Sequence, residues 1–477
     1  MSEFETVIGL EVHAQLKTNT KLFSWSENTF GAAPNSHVDV VCLGMPGVLP
    51  VLNEHAVQLA VRAAIGLECT VHPVSQWARK NYFYPDLPKG YQISQFDRPY
   101  ATGGSLTFEL EGQEKTIGIT RIHMEEDAGK NVHDDVFAGK RSYVDFNRAG
   151  VPLIEIVSEP EIRSAAEAAE YMRTMRQVLR YLDVCDGNME EGSLRCDANV
   201  SIRPRGQEEF GTRAEIKNIN SFRFVEQAIE YEIFRQEELV RGGGEVVQET
   251  RLWDSQAKET RSMRSKEDAH DYRYFPDPDL PELVLAEDMV DGIRSELPEL
   301  PKAKLARYLG ELGLSDYDAK ILTDDAEVAR FYEAALGAHN NPKGIANWVI
   351  NEVLREIKDQ PLTTLKFEAV ALGELVKLID DKTISGKIAK DVFSEMMASG
   401  GQPSEIVEAK GWKQVTDTSA IEPLVDEVLA AQADSVEKYK AGKTNVIGFL
   451  VGQVMKASKG KANPQLVNEM LRKKLDS

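Results

Sequence analysis

Near the start of the chain, Leu10, Val12, Ala14 and Leu16 alternate with Glu11, His13 and Gln15, the period of a strand with one buried face. The alternation returns along 194–203. There Leu194, Cys196, Ala198, Val200 and Ile202 interleave with Arg195, Asp197, Asn199, Ser201 and Arg203. Arg213, Glu215 and Lys217 repeat it in a following strand, and Ile117 and Ile119 mark another ahead of Glu125, Glu126 and Asp127. Two stretches switch to helical spacing. One opens with the capping box Ser164-Ala-Ala-Glu167 and carries Met172, Met175, Leu179 and Leu182. The other follows Asn220 and Ser221 and carries Val225, Ala228, Ile229 and Ile233. Gly242, Gly243 and Gly244 break that helix, and 245–252 reads as a strand. The order is not a regular βαβ series, so an α+β domain is expected.

From Pro301 onward helical periodicity takes over, as in 346–357 and 372–379, with a break at 399–403. Three domains are expected: strand-rich 1–293, helical 294–402 and a helical tail, 403–477. No internal repeat is visible.

Composition adds little to the fold but bounds the function. Apolar content of 42% and charged content of 28% over 477 residues are those of an ordinary soluble protein. No apolar run reaches membrane-span length and the acidic N-terminus lacks a signal core, so a cytoplasmic location is expected. Cys42, Cys69, Cys185 and Cys196 form no close pair, which favours reduced thiols. The net charge of −21 argues against promiscuous nucleic-acid binding. The tail departs from it: 436–477 holds nine Lys/Arg against three Asp/Glu, a local net of +6. A basic end on an acidic body suits a phosphate-rich partner.

Several stretches carry candidate chemistry. Glu11 and His13 stand two residues apart on one strand face, a spacing at which oxygen and nitrogen can grip a divalent metal. Glu125 and Glu126 are neighbours on a strand, so only one of them faces a given side. Glu155 lies inside the apolar run 151–157, where an unpaired carboxylate costs several kcal/mol; it should bind a metal, a cation or a hydrogen-bond network. The row Arg195, Asp197, Asn199 and Lys217, with Asn218 and Asn220 at a helix start, suits a phosphate. The aromatic, proline-rich stretch 80–95 and the similar 271–277 fit a ligand cavity or a partner interface. A complete P-loop, a His-Glu-x-x-His helix and a Gly-x-Ser-x-Gly elbow are all missing.

Taken together, 8–16, 80–95, 121–130, 145–160, 188–204, 217–221 and 271–280 resemble the B subunit of the tRNA-dependent amidotransferase. The segment 448–464 resembles that family's tail domain. The match runs from about residue 5 to about 470, in order and without an obvious gap. The resemblance implies a strand-rich cradle domain similar to the catalytic part of glutamine synthetase, then a helical domain, then a tail that holds tRNA. It implies ATP-dependent conversion of Glu-tRNA(Gln) or Asp-tRNA(Asn) to the amide form. The implied partners are an amidase-type A subunit that releases ammonia from glutamine and a small C subunit, together a heterotrimer. On this reading Mg²⁺, with Mn²⁺ as a possible substitute, is held by Glu11, His13, Glu126 and Glu155. Glu126 is expected to face the metal, with Glu125 in support and Lys80 where ammonia arrives. Arg195, Asn199, Lys217, Asn218 and Asn220 are expected on the nucleotide phosphates. Lys443, Lys456, Lys459 and Lys461 are expected on tRNA. The rival readings are a non-catalytic tRNA-binding scaffold and a stand-alone ligase acting on a small amino acid.

Overall fold

A computed structural model describes residues 3–134, 141–265, 272–358, 360–413, 418–458 and 462–476. The chain divides into two compact units, 1–301 and 302–477.

The first unit is built on a nine-stranded sheet. Its strands in chain order are β1 (Phe4–Gln15), β2 (Thr70–Val71), β3 (Ala101–Leu110), β4 (Gln113–Glu126), β5 (Pro152–Ser158), β6 (Leu194–Pro204), β7 (Ala214–Ile219), β8 (Glu249–Asp254) and β9 (Glu259–Ser265). Across the sheet they run β9-β8-β7-β6-β1-β5-β4-β3-β2, with every pairing antiparallel except β7 with β8. The N-terminal strand is therefore central, held by β5 on one side and β6 on the other. Its even-numbered residues Ile8, Leu10, Val12 and Ala14 are all buried in the main core, with Ile154 and Ile156 of β5 and Ala198 and Val200 of β6. Helices α2 (Ala165–Tyr181) and α3 (Phe222–Arg241) supply Met172, Met175, Val225 and Ile229 to the same core. Burying one face of a sheet under helices leaves the other face free for polar groups.

The expected helix starts are where the caps put them. Ser164 Oγ accepts the Glu167 N–H, and Ser221 Oγ accepts that of Phe224. A further helix, α1 (Glu54–Gly66), was not expected from the sequence. A fourth, α4 (Glu287–Ser295), crosses the expected boundary at 293. Ile293, Leu297 and Leu300 pack on the first core, so the first unit closes at Pro301 rather than at 293.

The second unit contains helices and no strand among the described residues. It holds two separate apolar clusters. The first gathers residues from Tyr308 to Val407, the second residues from Ile421 to Leu475. Val407, with Ile406 and Trp412 beside it, belongs to the first cluster, so the change of core falls after the expected break at 399–403. Among the described residues no helix is long and apolar enough to cross a membrane. Cys42, Cys69, Cys185 and Cys196 are free thiols.

Candidate active site

The free face of the sheet collects the polar residues of five adjacent strands. Register decides which of them meet. His13 of β1 lies opposite Glu155 of β5 on one side and Arg195 of β6 on the other. Glu155 in turn lies opposite His123 of β4. One residue pair along, Glu11 faces Asp197, and beyond it Asn199 faces Glu215 of β7. Directly opposite residues project to the same side, so these side chains form rows across the sheet.

Two acidic clusters result. In the first, ligand atoms of His13, Glu125 and Glu155 lie within 4.8 Å of one another. The Glu155 carboxylate is bracketed by His13 Nε2 at 3.4 Å and His123 Nε2 at 3.5 Å. Glu125 is held from both oxygens. Ser94 Oγ and Gln92 Nε2 donate to it at 2.9 and 2.8 Å, and His123 Nε2 stands 3.0 Å away. Such outer contacts fix a carboxylate's orientation. Burial alone would push the Glu155 carboxyl up, but His123, His13 and Lys80 outweigh it and hold the group well below the usual carboxylate range. Glu125 follows the same balance, with Lys80 and His123 prevailing over burial. His13 is displaced upward because Glu155 overcomes the opposite effect of burial. A carboxylate pair with an imidazole is a donor set that fits a divalent cation, manganese more readily than magnesium because of the nitrogen.

In the second cluster, Glu11, Asp197 and Glu215 approach one another equally closely. Lys217 Nζ ion-pairs with Asp197 and lies 2.9 Å from Glu215, so this cluster carries its own cation. Asn199 Nδ2 donates to Glu11 Oε1 at 3.0 Å.

Both clusters open into one cavity of about 490 Å³. Away from the sheet, its wall comes from Lys80 of the strand Ala78–Asn81, from Phe96 and from the segment that holds Tyr272 and Tyr274. Lys80 enters from this wall with its Nζ 4.9 Å from the centre of the Tyr272 ring. Phe96 and Tyr274 stack at 4.3 Å between ring centres.

The structure brings Glu11, His13, Glu155, Lys80, Asn199 and Lys217 to the cavity, and replaces Glu126 by Glu125. Strand alternation is the reason. Glu125 shares the side of His123, while Glu126 turns away to pair with the Lys89 ammonium and to accept the Ile93 N–H at 3.1 Å. Three phosphate assignments need correction. Arg195 is committed to Asp127 at 2.9 Å and does not line the cavity. Asn218 turns back through a positive φ of 67° and donates to the Trp253 carbonyl, and exposed Asn220 also lies off the cavity wall. Lys217 lines the cavity but is neutralised by two acids. His123 and Arg121 were not assigned to the site from sequence, whereas Tyr272 and Tyr274 belong to the 271–277 stretch expected at a ligand cavity or a partner interface. His123 and Glu125 have the two-residue spacing of Glu11 and His13, a signal that could have found them. In the tail Lys443 and Lys456 are exposed; Lys459 and Lys461 lie outside the described residues, as does Asp271.

Fold and site together define a sheet domain with an acidic cavity on its polar face, followed by a helical unit. A model of the GatB/GatE catalytic domain matches residues 6–291, and a GatB domain model matches 330–475. The chain belongs to this family. It is 59% identical to the B subunit of the aspartyl/glutamyl-tRNA(Asn/Gln) amidotransferase of Geobacter sulfurreducens, over 99% of both chains. It is 57% identical to the corresponding subunit of Syntrophotalea carbinolica over 99% of both. For Myxococcus xanthus the figure is 56%, over 100% of this chain and 99% of the relative.

Proposed function

We propose that this chain is the subunit of a tRNA-dependent amidotransferase that activates the side-chain carboxylate of Glu-tRNA(Gln), Asp-tRNA(Asn) or both. The observation that carries this reading is the cluster of His13, Glu125 and Glu155 beside Lys80, in a cavity of about 490 Å³. A scaffold that only bound RNA would gain nothing from gathering like charges in a buried site, which costs several kcal/mol unless a cation joins them.

The chemistry follows from the substrate. A carboxylate repels nucleophiles and has no leaving group. Its oxygen attacks the γ-phosphorus of ATP, ADP departs, and the acyl phosphate so formed is an electrophile. Ammonia adds to the carbonyl carbon, phosphate leaves and the amide remains. Phosphoryl transfer needs positioning and charge neutralisation above all. A divalent cation, Mg²⁺ with Mn²⁺ as substitute, held by His13, Glu125 and Glu155, would supply positive charge for the phosphate oxygens. Ser94, Gln92 and His123 orient Glu125. Lys80, whose ammonium is strengthened because Glu125 and Glu155 outweigh its burial, stays charged at neutral pH and adds a second positive group on the facing wall.

The absence of a hydrolytic nucleophile motif fits a division of labour in which partners supply ammonia. We infer an amidase-type A subunit and a small C subunit in a heterotrimer working in the cytoplasm. Exposed Trp25, Phe30, Leu49, Val51 and Phe83 offer the first unit apolar surface for such contacts. We also infer that the first unit is a cradle similar to the catalytic part of glutamine synthetase, and that the helical tail holds tRNA through Lys443, Lys456 and their neighbours. The test is phosphate release from ATP by the purified complex, supplied with ammonium and with charged Glu-tRNA(Gln) or charged Asp-tRNA(Asn). Release that depends on one or both charged tRNAs is expected; release indifferent to both would overturn the reading.

A further inference from the structure

Several cations along the polar face are committed to acids, and Arg121 is not. Arg195 is held by Asp127, Lys217 by Asp197 and Glu215, Arg203 by Glu5 and Arg251 by Glu249. Arg121 of β4 lines the same cavity and has neither a hydrogen bond nor an ion pair among the described residues. Its Nε is buried without a partner. Its guanidinium lies over the Phe96 ring, 5.1 Å from the ring centre, and Phe96 is backed by the stacked Tyr274.

Register explains why no acid of the sheet neutralises it. The residue opposite Arg121 is Val157, and opposite Val157 is Glu11, so an aliphatic side chain separates Arg121 from the nearest carboxylate in its row. Along its own strand the same face carries His123 and then Glu125 of the first acidic cluster. A buried guanidinium N–H without an acceptor is costly to leave unmade. Stacking on an aromatic ring occupies the face of a guanidinium and leaves the fork of donors at its edge to seek an acceptor. That fork matches the two oxygens of a carboxylate or phosphate in a way an ammonium cannot. Arg213 also lines the cavity, but it is exposed, so the same demand does not fall on it.

We propose that Arg121 grips the oxyanion of an arriving substrate in this cavity, beside the cluster of His13, Glu125 and Glu155. This rests on the activity proposed above and names a recognition residue for it. Two sources bring that chemistry: the terminal phosphate of ATP and the side-chain carboxylate of the aminoacyl group. The planar, stacked donor serves either, and binding measurements separate them.

The experiment uses the whole complex with its partner subunits. Dissociation constants are measured for ATP, ADP, charged Glu-tRNA(Gln) and uncharged tRNA, for the wild type, Arg121→Gln and Arg121→Lys. Arg121→Gln is expected to weaken one ligand by about ten- to hundredfold, the worth of a charge-assisted hydrogen-bonded pair. Arg121→Lys, which keeps the charge and loses the fork, should recover only part. Weaker ATP with unchanged ADP assigns the terminal phosphate. Weaker charged tRNA with unchanged uncharged tRNA assigns the carboxylate. Arg121→Gln affinities all within twofold of wild type overturn the proposal. So does an equal loss for all four ligands with a lowered melting temperature, which would mark a structural role. A wild-type complex that binds neither ATP nor charged tRNA would overturn the proposed function as well.

Discussion

Glu125 and Glu126 are adjacent acids, both buried, and the geometry gives them opposite tasks. The substitutions Glu125→Gln and Glu126→Gln should therefore fail in different ways. Glu125→Gln removes one of two carboxylates from the cation cluster and weakens the mutual repulsion with Glu155. It also puts an amide N–H against the donors Ser94 Oγ and Gln92 Nε2. A lost charge-assisted hydrogen bond of about 1.5–3 kcal/mol against relieved repulsion leaves a net stability change below roughly 2 kcal/mol. Its effect on rate should be much larger, on the order of 10²–10³ in kcat, the usual loss when a preorganised electrostatic group is removed. Glu126→Gln keeps an acceptor for the Ile93 N–H but strips Lys89 of its counter-charge, and the Lys89 side chain is only 9% exposed. Breaking a buried pair from one side costs about 3–5 kcal/mol. At about 2–4 °C per kcal/mol for a domain of this order, the melting temperature should fall by roughly 6–20 °C. The assays are calorimetry of the complex and phosphate release driven by charged tRNA with ammonium supplied directly, at a temperature where both variants are folded. If Glu126→Gln abolished turnover in a complex of normal melting temperature while Glu125→Gln worked normally, the assignment of the cation cluster would be wrong.

Other outcomes follow from single contacts. Asp127→Asn should destabilise by roughly 2–3 kcal/mol in chemical denaturation, a little less than a fully buried pair, because Arg195 keeps 30% of its side chain exposed; a change under about 0.5 kcal/mol would show the pair to be incidental. In the second unit, burial would raise the Glu333 carboxyl, but Lys304 and Arg307 hold it below its ordinary value. A depressed carboxyl stabilises above its unfolded value and loses that contribution as pH falls through its folded one. Glu333→Gln should thus cost roughly 1 kcal/mol near pH 7 and progressively less in acid below about pH 4.5; a difference independent of pH would contradict the ion-pair account. If Lys443 and Lys456 meet tRNA phosphates, alanine at each should flatten the slope of log affinity against log salt by about 0.7–0.9, without altering ATP affinity.

Much of the site was legible because strand alternation is local. Glu11 and His13, the polar row of 195–203 and the lone Glu155 each announce themselves within a few residues. What local pattern could not supply was long-range pairing. Arg195 looked like a phosphate ligand until Asp127, 68 residues earlier, took its guanidinium. Lys217 looked free until Asp197 across the sheet met it. The choice between Glu125 and Glu126 hung on which side of β4 carries the cavity, and the register with β5 decides that. Helix α1 escaped notice for a different reason. Ala56, Val57, Leu59, Ala60, Val61, Ala63 and Ala64 are all buried, and the polar stripe of Glu54, Gln58 and Arg62 that faces away from them is narrow, with alanines diluting the apolar side. The expected boundary at 293 fell inside α4 because the sequence shows where prolines and glycines lie, but not which core a short amphipathic helix joins.

On the proposed function, the carboxylate is activated as an acyl phosphate in the cavity of this subunit. Isotope transfer tests it most directly. The complex is given ATP, ammonium and a charged tRNA whose aminoacyl side-chain carboxylate carries ¹⁸O in both oxygens. Mass spectrometry of the products should find one ¹⁸O in the inorganic phosphate for each amide formed, with ADP as the nucleotide product. Label recovered in AMP, or amide formation that leaves the phosphate unlabelled, would contradict the account.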